Sequence, residues 1–169
     1  MGDALRHRIQ QDHFESPVQE AFLNLLVAAD HLRAQTERLC GELGLSASQY
    51  NVLRILRGVH PEGHSRCEIA RRMIERAPDV TRLVDRLEKR GWVERDRSER
   101  DRRLSISRIT PAGLELLETI GPRLMEAQRD FAARVPEKDC RELSRICEEI
   151  YGEPTTPYPA NRTTMRRNR

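Results

Sequence analysis

The chain has 169 residues, with 30 Lys+Arg against 27 Asp+Glu and a formal net charge of +3, a length that fits one domain with additional helices. Charged residues make up 34% and hydrophobic ones 37%, and there are only three Phe, three Tyr and one Trp. So little apolar material predicts that a partner surface completes the core. No apolar run approaches the roughly 18–20 residues of a membrane span, the first 17 residues carry no apolar leader segment, and the four cysteines form no CxxC pair, so a cytoplasmic location without membrane contact or a disulfide scaffold is expected.

Residues 1–16 read as an N-terminal extension holding at most an amphipathic turn. Ser16-Pro17-Val18-Gln19 is a capping box with Pro at the first helical position. It opens a helix whose Val18, Ala21, Phe22, Leu25, Leu26 and Ala29 recur at helical spacing, and Gly41 and Gly44 stop it by about residue 44. Ser46 and Gln49 form a second box before Val52, Leu53, Leu56 and Val59, and a loop is expected at 60–64. Ser65 and Glu68 form a third box, before Ile69, Ala70 and Met73.

Pro78 can take the first position of the next helix, although Ala77 before it is a poor cap. Val80, Leu83, Val84 and Leu87 face inward, and Gly91 ends the helix. This leaves Asp79, Thr81, Arg82, Asp85, Arg86 and Lys89 facing outward. The period then changes from helical to alternating. Trp92–Arg95 and Leu104–Ile109 read as two strands, joined by the charged tip DRSERDRR at 96–103.

Thr110-Pro111 starts another helix, with Leu114, Leu117, Ile120 and Leu124 on one face, and Gly121-Pro122 is expected to kink or split it. A last helix begins near Pro136, with Leu143, Ile146, Cys147 and Ile150 inward. Residues 152–169 read as a flexible basic tail.

Charge is unevenly placed along these elements. Residues 66–103 carry 13 basic against 9 acidic side chains and the tail 4 against 1, while the remaining segments are net acidic. Twenty-eight of the 30 basic residues are Arg, whose planar fork suits phosphates and guanine edges. An Arg-rich genome accounts for Arg over Lys but not for the segmental concentration. Two short helices, an outward polar face on the second and a charged hairpin make a winged helix-turn-helix. The fold class is therefore mainly α with a small β-hairpin wing, with further helices N- and C-terminal to it. Arg82 and Arg86 lie one turn apart, so one can read a base edge while the other holds phosphate.

The order VTRLVDRLEKRG, then ER, then DRR, then ITPAG, within residues 78–117, resembles the multiple-antibiotic-resistance regulator (MarR) family of bacterial winged-helix transcription factors. The helical layout extends the resemblance over about 17–151. The resemblance implies a homodimer built by helices 17–44 and 111–151, a DNA-binding domain at 45–110, and repression relieved by a small-molecule effector or an oxidant. It implies that Arg103 enters the minor groove and that Asp101 positions it. The segment Met73–Ala77 lacks the glycine usual in the turn before the recognition helix, which leaves that turn's conformation open. Residues 1–39 contain no Cys, so the peroxide-sensing branch of the family is not matched.

The candidate DNA-binding residues are Pro78, Asp79, Thr81, Arg82, Arg86, Arg97, Arg100, Asp101, Arg102 and Arg103, and the expected partner is a near-palindromic double-stranded operator. A solvated helix face and a solvated hairpin tip are the plainer readings of the same charges. Pro61 and Gly63 between His60 and His64 rule out a helical metal pair, and no metal or cofactor is expected. No phosphate loop or catalytic triad motif is present, so no enzyme is expected. Cys140 and Cys147 share a helical face suited to packing, and Cys40 is a candidate thiol. His31, Arg33 and Arg57 are candidates for an effector cleft, with ordinary surface or dimer positions as the plainer reading. The alternative function is a dimerising adaptor that uses its winged helix to bind protein.

Overall fold

The computed structural model describes residues 2–75, 79–97 and 105–152, and the backbone alone of Arg97. Ten elements follow in order: α1 (Asp3–Ile9), α2 (Pro17–Gly41), α3 (Ala47–Arg57), β1 (His64–Ser65), α4 (Arg66–Arg72), α5 (Val80–Lys89), β2 (Val93–Arg97), β3 (Ser105–Ile109), α6 (Pro111–Arg134) and α7 (Glu137–Tyr151). The extension thus holds a seven-residue helix that buries Leu5. The tail beyond Gly152 lies outside the described residues.

The three Ser caps form as read, with one full box among them. At Ser46 both halves close: Gln49 N donates to the Ser hydroxyl, and the Gln49 side chain accepts from Ser46 N. At Ser16 the hydroxyl accepts from Gln19 N, but the Gln19 side chain reaches one residue further back, to Glu15 N at 2.7 Å. At Ser65 the hydroxyl accepts from Glu68 N, while the Glu68 carboxylate turns to Arg71 and Arg72. Ser65 also belongs to β1, a two-residue strand that begins at His64, the last residue of the segment read as a loop.

The sheet has the order β1-β3-β2, all antiparallel, with His64 opposite Ser107 and Val93 opposite Ile109. β2 runs to Arg97, two residues past the expected end of the first strand. Two further expectations need correction. The helix read as starting at Pro78 starts at Val80, because Asp79 provides the cap that Ala77 does not: its carboxylate accepts from Arg82 N at 3.0 Å. α6 is not split at Gly121-Pro122 but continues as one helix from Pro111 to Arg134. Pro122 lacks an N–H to donate and its ring crowds the preceding turn, but that turn is anchored by buried Leu117 and Ile120.

The chain forms two compact units, residues 1–124 and 125–169. The core of the first brings Val52, Leu53 and Leu56 of α3 against Ile69 of α4 and Leu87 of α5, with Val93 and Ile109 from the sheet closing it. Gly113 allows α6 to start against the sheet, since a Cβ there would lie 2.4 Å from the Trp92 carbonyl oxygen. In the second unit α7 buries no residue. Leu143, Ile146 and Ile150, expected inward, are exposed, and Cys147 is half-buried. The same holds on α2, where Val18, Phe22 and Leu26 are exposed and Leu25 is half-buried. Amphipathic spacing gives each helix an apolar stripe, and among the described residues most of these side chains stay exposed.

His64 connects this fold to pH. Its Nε2 is buried with no hydrogen-bond partner among the described residues. Burial, reinforced by the charge of Arg72, lowers its pKa below the ordinary histidine value. The unfolded chain therefore takes up this proton first as pH falls through about 6.5. The stabilisation is complete above that pH and is lost on moving down towards the depressed folded value. Urea unfolding at pH 7.5 and 5.5 should show a smaller acid loss for His64→Asn than for the native chain; equal losses would contradict this.

Candidate nucleic-acid interface

Val80, Val84 and Leu87 seat α5 on the core, and Leu83 is half-buried beside them. The helix ends at Gly91, whose φ of +73° lets Gly91 N bond Glu88 O at 2.9 Å and Trp92 N bond Leu87 O at 3.1 Å. Arg90 lies 4.2 Å over the Trp92 ring and donates to Gly44 O at 3.0 Å, tying the end of α5 to the loop after α2.

With that seat fixed, the opposite face of α5 is set. Arg82 and Arg86 are exposed one turn apart, with Lys89 further along. The Arg82 guanidinium pairs with Asp79, Nε to carboxylate, at 3.0 Å. Arg86 and Lys89 make no ion pair with any described residue. Thr81 is half-buried, and its hydroxyl accepts from Arg66 at 3.0 Å. Asp79 itself serves as the helix cap.

The wing is clamped to this helix. Arg95 of β2 pairs with both Asp85 and Glu88 of α5, the latter at 2.6 Å. Burial alone would lower the Arg95 pKa, but the two carboxylates outweigh it and raise it, so the guanidinium stays charged. Asp85, expected on the outward face of this helix, is thereby spent on fixing the wing root. Arg108 and Asp96 add a cross-strand pair at 2.8 Å. Pro78, Arg100, Asp101, Arg102, Arg103 and the side chain of Arg97 lie outside the described residues.

Arg66 is a residue that sequence reading missed. Directly after the Ser65 cap, it borders a recess of about 230 Å³ whose wall also includes Thr81, Arg95, Ser105 and Ser107. Hydroxyls beside an arginine suit phosphate oxygens. The only advance signal was a basic residue at the start of the helix before the recognition helix.

A second cavity, of about 350 Å³, lies between α2, α3 and the segment after α4. Leu32, Arg33, Tyr50, Asn51, Met73 and Glu75 contribute to its wall. Of the three effector-cleft candidates it takes Arg33, held by Asp30 at 2.7 Å, and neither His31 nor Arg57. The turn lacking glycine is held by a side chain, since Asn51 Oδ1 accepts from Ile74 N at 3.0 Å.

Cys40 is fully buried, and burial, with a smaller contribution from Glu37, pushes its thiol up to about 11. Cys67 is exposed. Iodoacetamide at pH 8 should modify Cys67 in the folded protein and Cys40 only after unfolding, as read by peptide mass. Equal labelling of both in the fold would overturn this.

Comparison with known proteins meets this geometry at the same segment. The MarR family model matches residues 45–105. A MarR transcription factor of known structure from Planctomyces limnophilus is 39% identical, with a TM-score of 0.62 over 81% of this chain and 99% of that one. The chain belongs to the MarR family. It is also 30% identical to the HTH-type transcriptional regulator PapX of Escherichia coli over 129 residues, 75% of this chain and 76% of PapX. CouR from Rhodococcus jostii RHA1, solved bound to p-coumaroyl-CoA, shares the fold at 21% identity, with a TM-score of 0.71 over 86% of this chain and all of CouR. The matched segment runs from α3 through α4, α5 and β2 to the start of β3, and the protein is a DNA-binding transcription regulator. No helix among the described residues is long and apolar enough to cross a membrane.

Proposed function

We propose that this MarR-family regulator is a cytoplasmic, non-enzymatic homodimer that represses transcription from a near-palindromic operator and is released by a small molecule. The observation carrying this reading is the exposed Arg82–Arg86 face of α5, seated on buried Val80, Val84 and Leu87 and locked to the wing through Arg95. α5 enters the major groove, where Arg86 and Arg82 make the leading contacts and Thr81 sits at the groove edge. Two copies related by a two-fold axis present two such helices to half-sites about one helical turn apart, roughly 34–36 Å. The exposed apolar stripes of α2 and α7 supply the dimer surface, with segments 17–44 and 111–151 as its helices.

At the wing tip, Arg103 enters the minor groove and Asp101 positions it, as the family resemblance implies. Arg97, Arg100 and Arg102 hold phosphates. The effector occupies the cavity between α2 and α3, where apolar side chains surround a few polar groups.

Arg103→Ala tests the wing. Operator affinity measured by fluorescence anisotropy should fall about 10- to 100-fold, the loss of one groove contact. The dimer mass from light scattering should stay unchanged. Undiminished affinity would remove the wing from the interface.

A further inference from the structure

Asn51 is buried on α3, only 6% exposed. Its Oδ1 is committed to the Ile74 N–H, which fixes the amide's orientation. The other end, Nδ2, is buried without a hydrogen-bond partner among the described residues. Asn51 also lines the 350 Å³ cavity, and a turn of its amide plane would bring this donor to an occupant. A buried amide donor left unpaired is costly, and native proteins retain few without a use.

The rest of the wall defines what would be accepted. Ala29, Leu32, Met73 and Ile74 are apolar. Its two ionic residues are opposite in sign, and the Arg33 guanidinium is already held by Asp30. An anion would have to displace Asp30 and approach Glu75. A neutral acceptor needs to do neither.

Resting on the effector reading above, we infer that Asn51 is the specificity and coupling residue of this cavity: Nδ2 donates to the carbonyl-type oxygen of a neutral, largely apolar ligand. The same amide holds the Ile74 N–H, five residues ahead of the Asp79 cap of α5. Turning the amide plane to meet the ligand loosens the bond to Ile74. Occupancy thereby reaches the segment that leads into the DNA-reading helix.

Three matched probes test this on the full chain: 1-acetonaphthone (neutral acceptor), 1-naphthoate (anion) and 1-ethylnaphthalene (no acceptor). Binding is read by intrinsic fluorescence titration, and DNA release by anisotropy. The native protein should bind 1-acetonaphthone at least about 10-fold more tightly than the other two, the size expected for one satisfied buried donor. Asn51→Asp retains an acceptor for Ile74 N–H but removes the donor, and should lose that preference.

In the native chain, the Asn51 side-chain amide and Ile74 backbone amide NMR signals should shift together on adding 1-acetonaphthone, a readout that needs no variant. Equal binding of 1-acetonaphthone to native and Asn51→Asp proteins, no shift of the Asn51 signal on binding, or a preference for either other probe would overturn the role of Asn51 while leaving the effector cavity standing. Binding of none of the three to the native protein would overturn both.

Discussion

Leu87→Ala is expected to destabilise the protein by about 2–5 kcal/mol, the range for truncating a fully enclosed leucine. Leu87 has no exposed surface and packs where α3, α4, α5 and the sheet meet. Its carbonyl also receives Trp92 N–H at the turn into the wing. The cavity left by truncation would thus sit under the helix whose opposite face carries Arg82 and Arg86, and beside the strand that carries Arg95. Urea denaturation should show the loss as a lower midpoint, with DNA affinity falling under conditions where the variant is still folded. A loss below about 1 kcal/mol would mean that the site collapses around the gap and that α5 is not seated as described.

Arg86→Ala is expected to weaken operator binding by about 10- to 100-fold, equivalent to about 1–3 kcal/mol for a bidentate base contact. Arg86 is exposed and has no ion-pair partner among the described residues, so its guanidinium meets DNA without leaving another carboxylate. Arg82 stands one turn earlier but pairs with Asp79, and DNA contact there has to replace that pair. Arg82→Ala should therefore cost less than Arg86→Ala. Binding to a panel of operator variants separates the roles. A base contact relaxes preference at one position, whereas a phosphate contact lowers affinity uniformly. An Arg86→Ala protein that binds as tightly as the native one would displace α5 from the interface.

The elements that local chemistry writes were readable in advance. Ser16, Ser46 and Ser65 each accept from the amide three residues on, and the switch from helical to alternating spacing after Gly91 marks the hairpin. β1 was not readable, because two residues inside the segment HPEGHS carry no alternation, and only pairing with β3 makes them a strand. The start of α5 was misplaced because Pro78 looked like a first-turn proline, whereas the Asp79 carboxylate supplies a cap one residue later. The stripes of α2 and α7 were identified correctly as apolar, but spacing cannot say whether the same chain or another covers them.

Contacts between distant residues were the least legible part of the site. Arg95 read as the last residue of a short strand, and nothing in that pattern points to Asp85 and Glu88, which hold it. Asn51 drew no notice in a run of core residues, although it is the side chain that reaches across to Ile74. Arg66 likewise gains its meaning only from Thr81, fifteen residues on. Such side chains are chosen by tertiary geometry, and a periodic pattern carries no record of it.

The most direct test of sequence-specific DNA binding through α5 and the wing is fluorescence anisotropy with DNA from upstream of the protein's own gene. It should be run at 50 and 200 mM salt against a scrambled duplex of equal length. Binding should be tight and selective for the upstream duplex, fall steeply with salt as phosphate-bound counterions are released, and weaken in Arg86→Ala. Weak binding that is equal on both duplexes and indifferent to salt would contradict it, and would favour a winged helix that docks on protein instead.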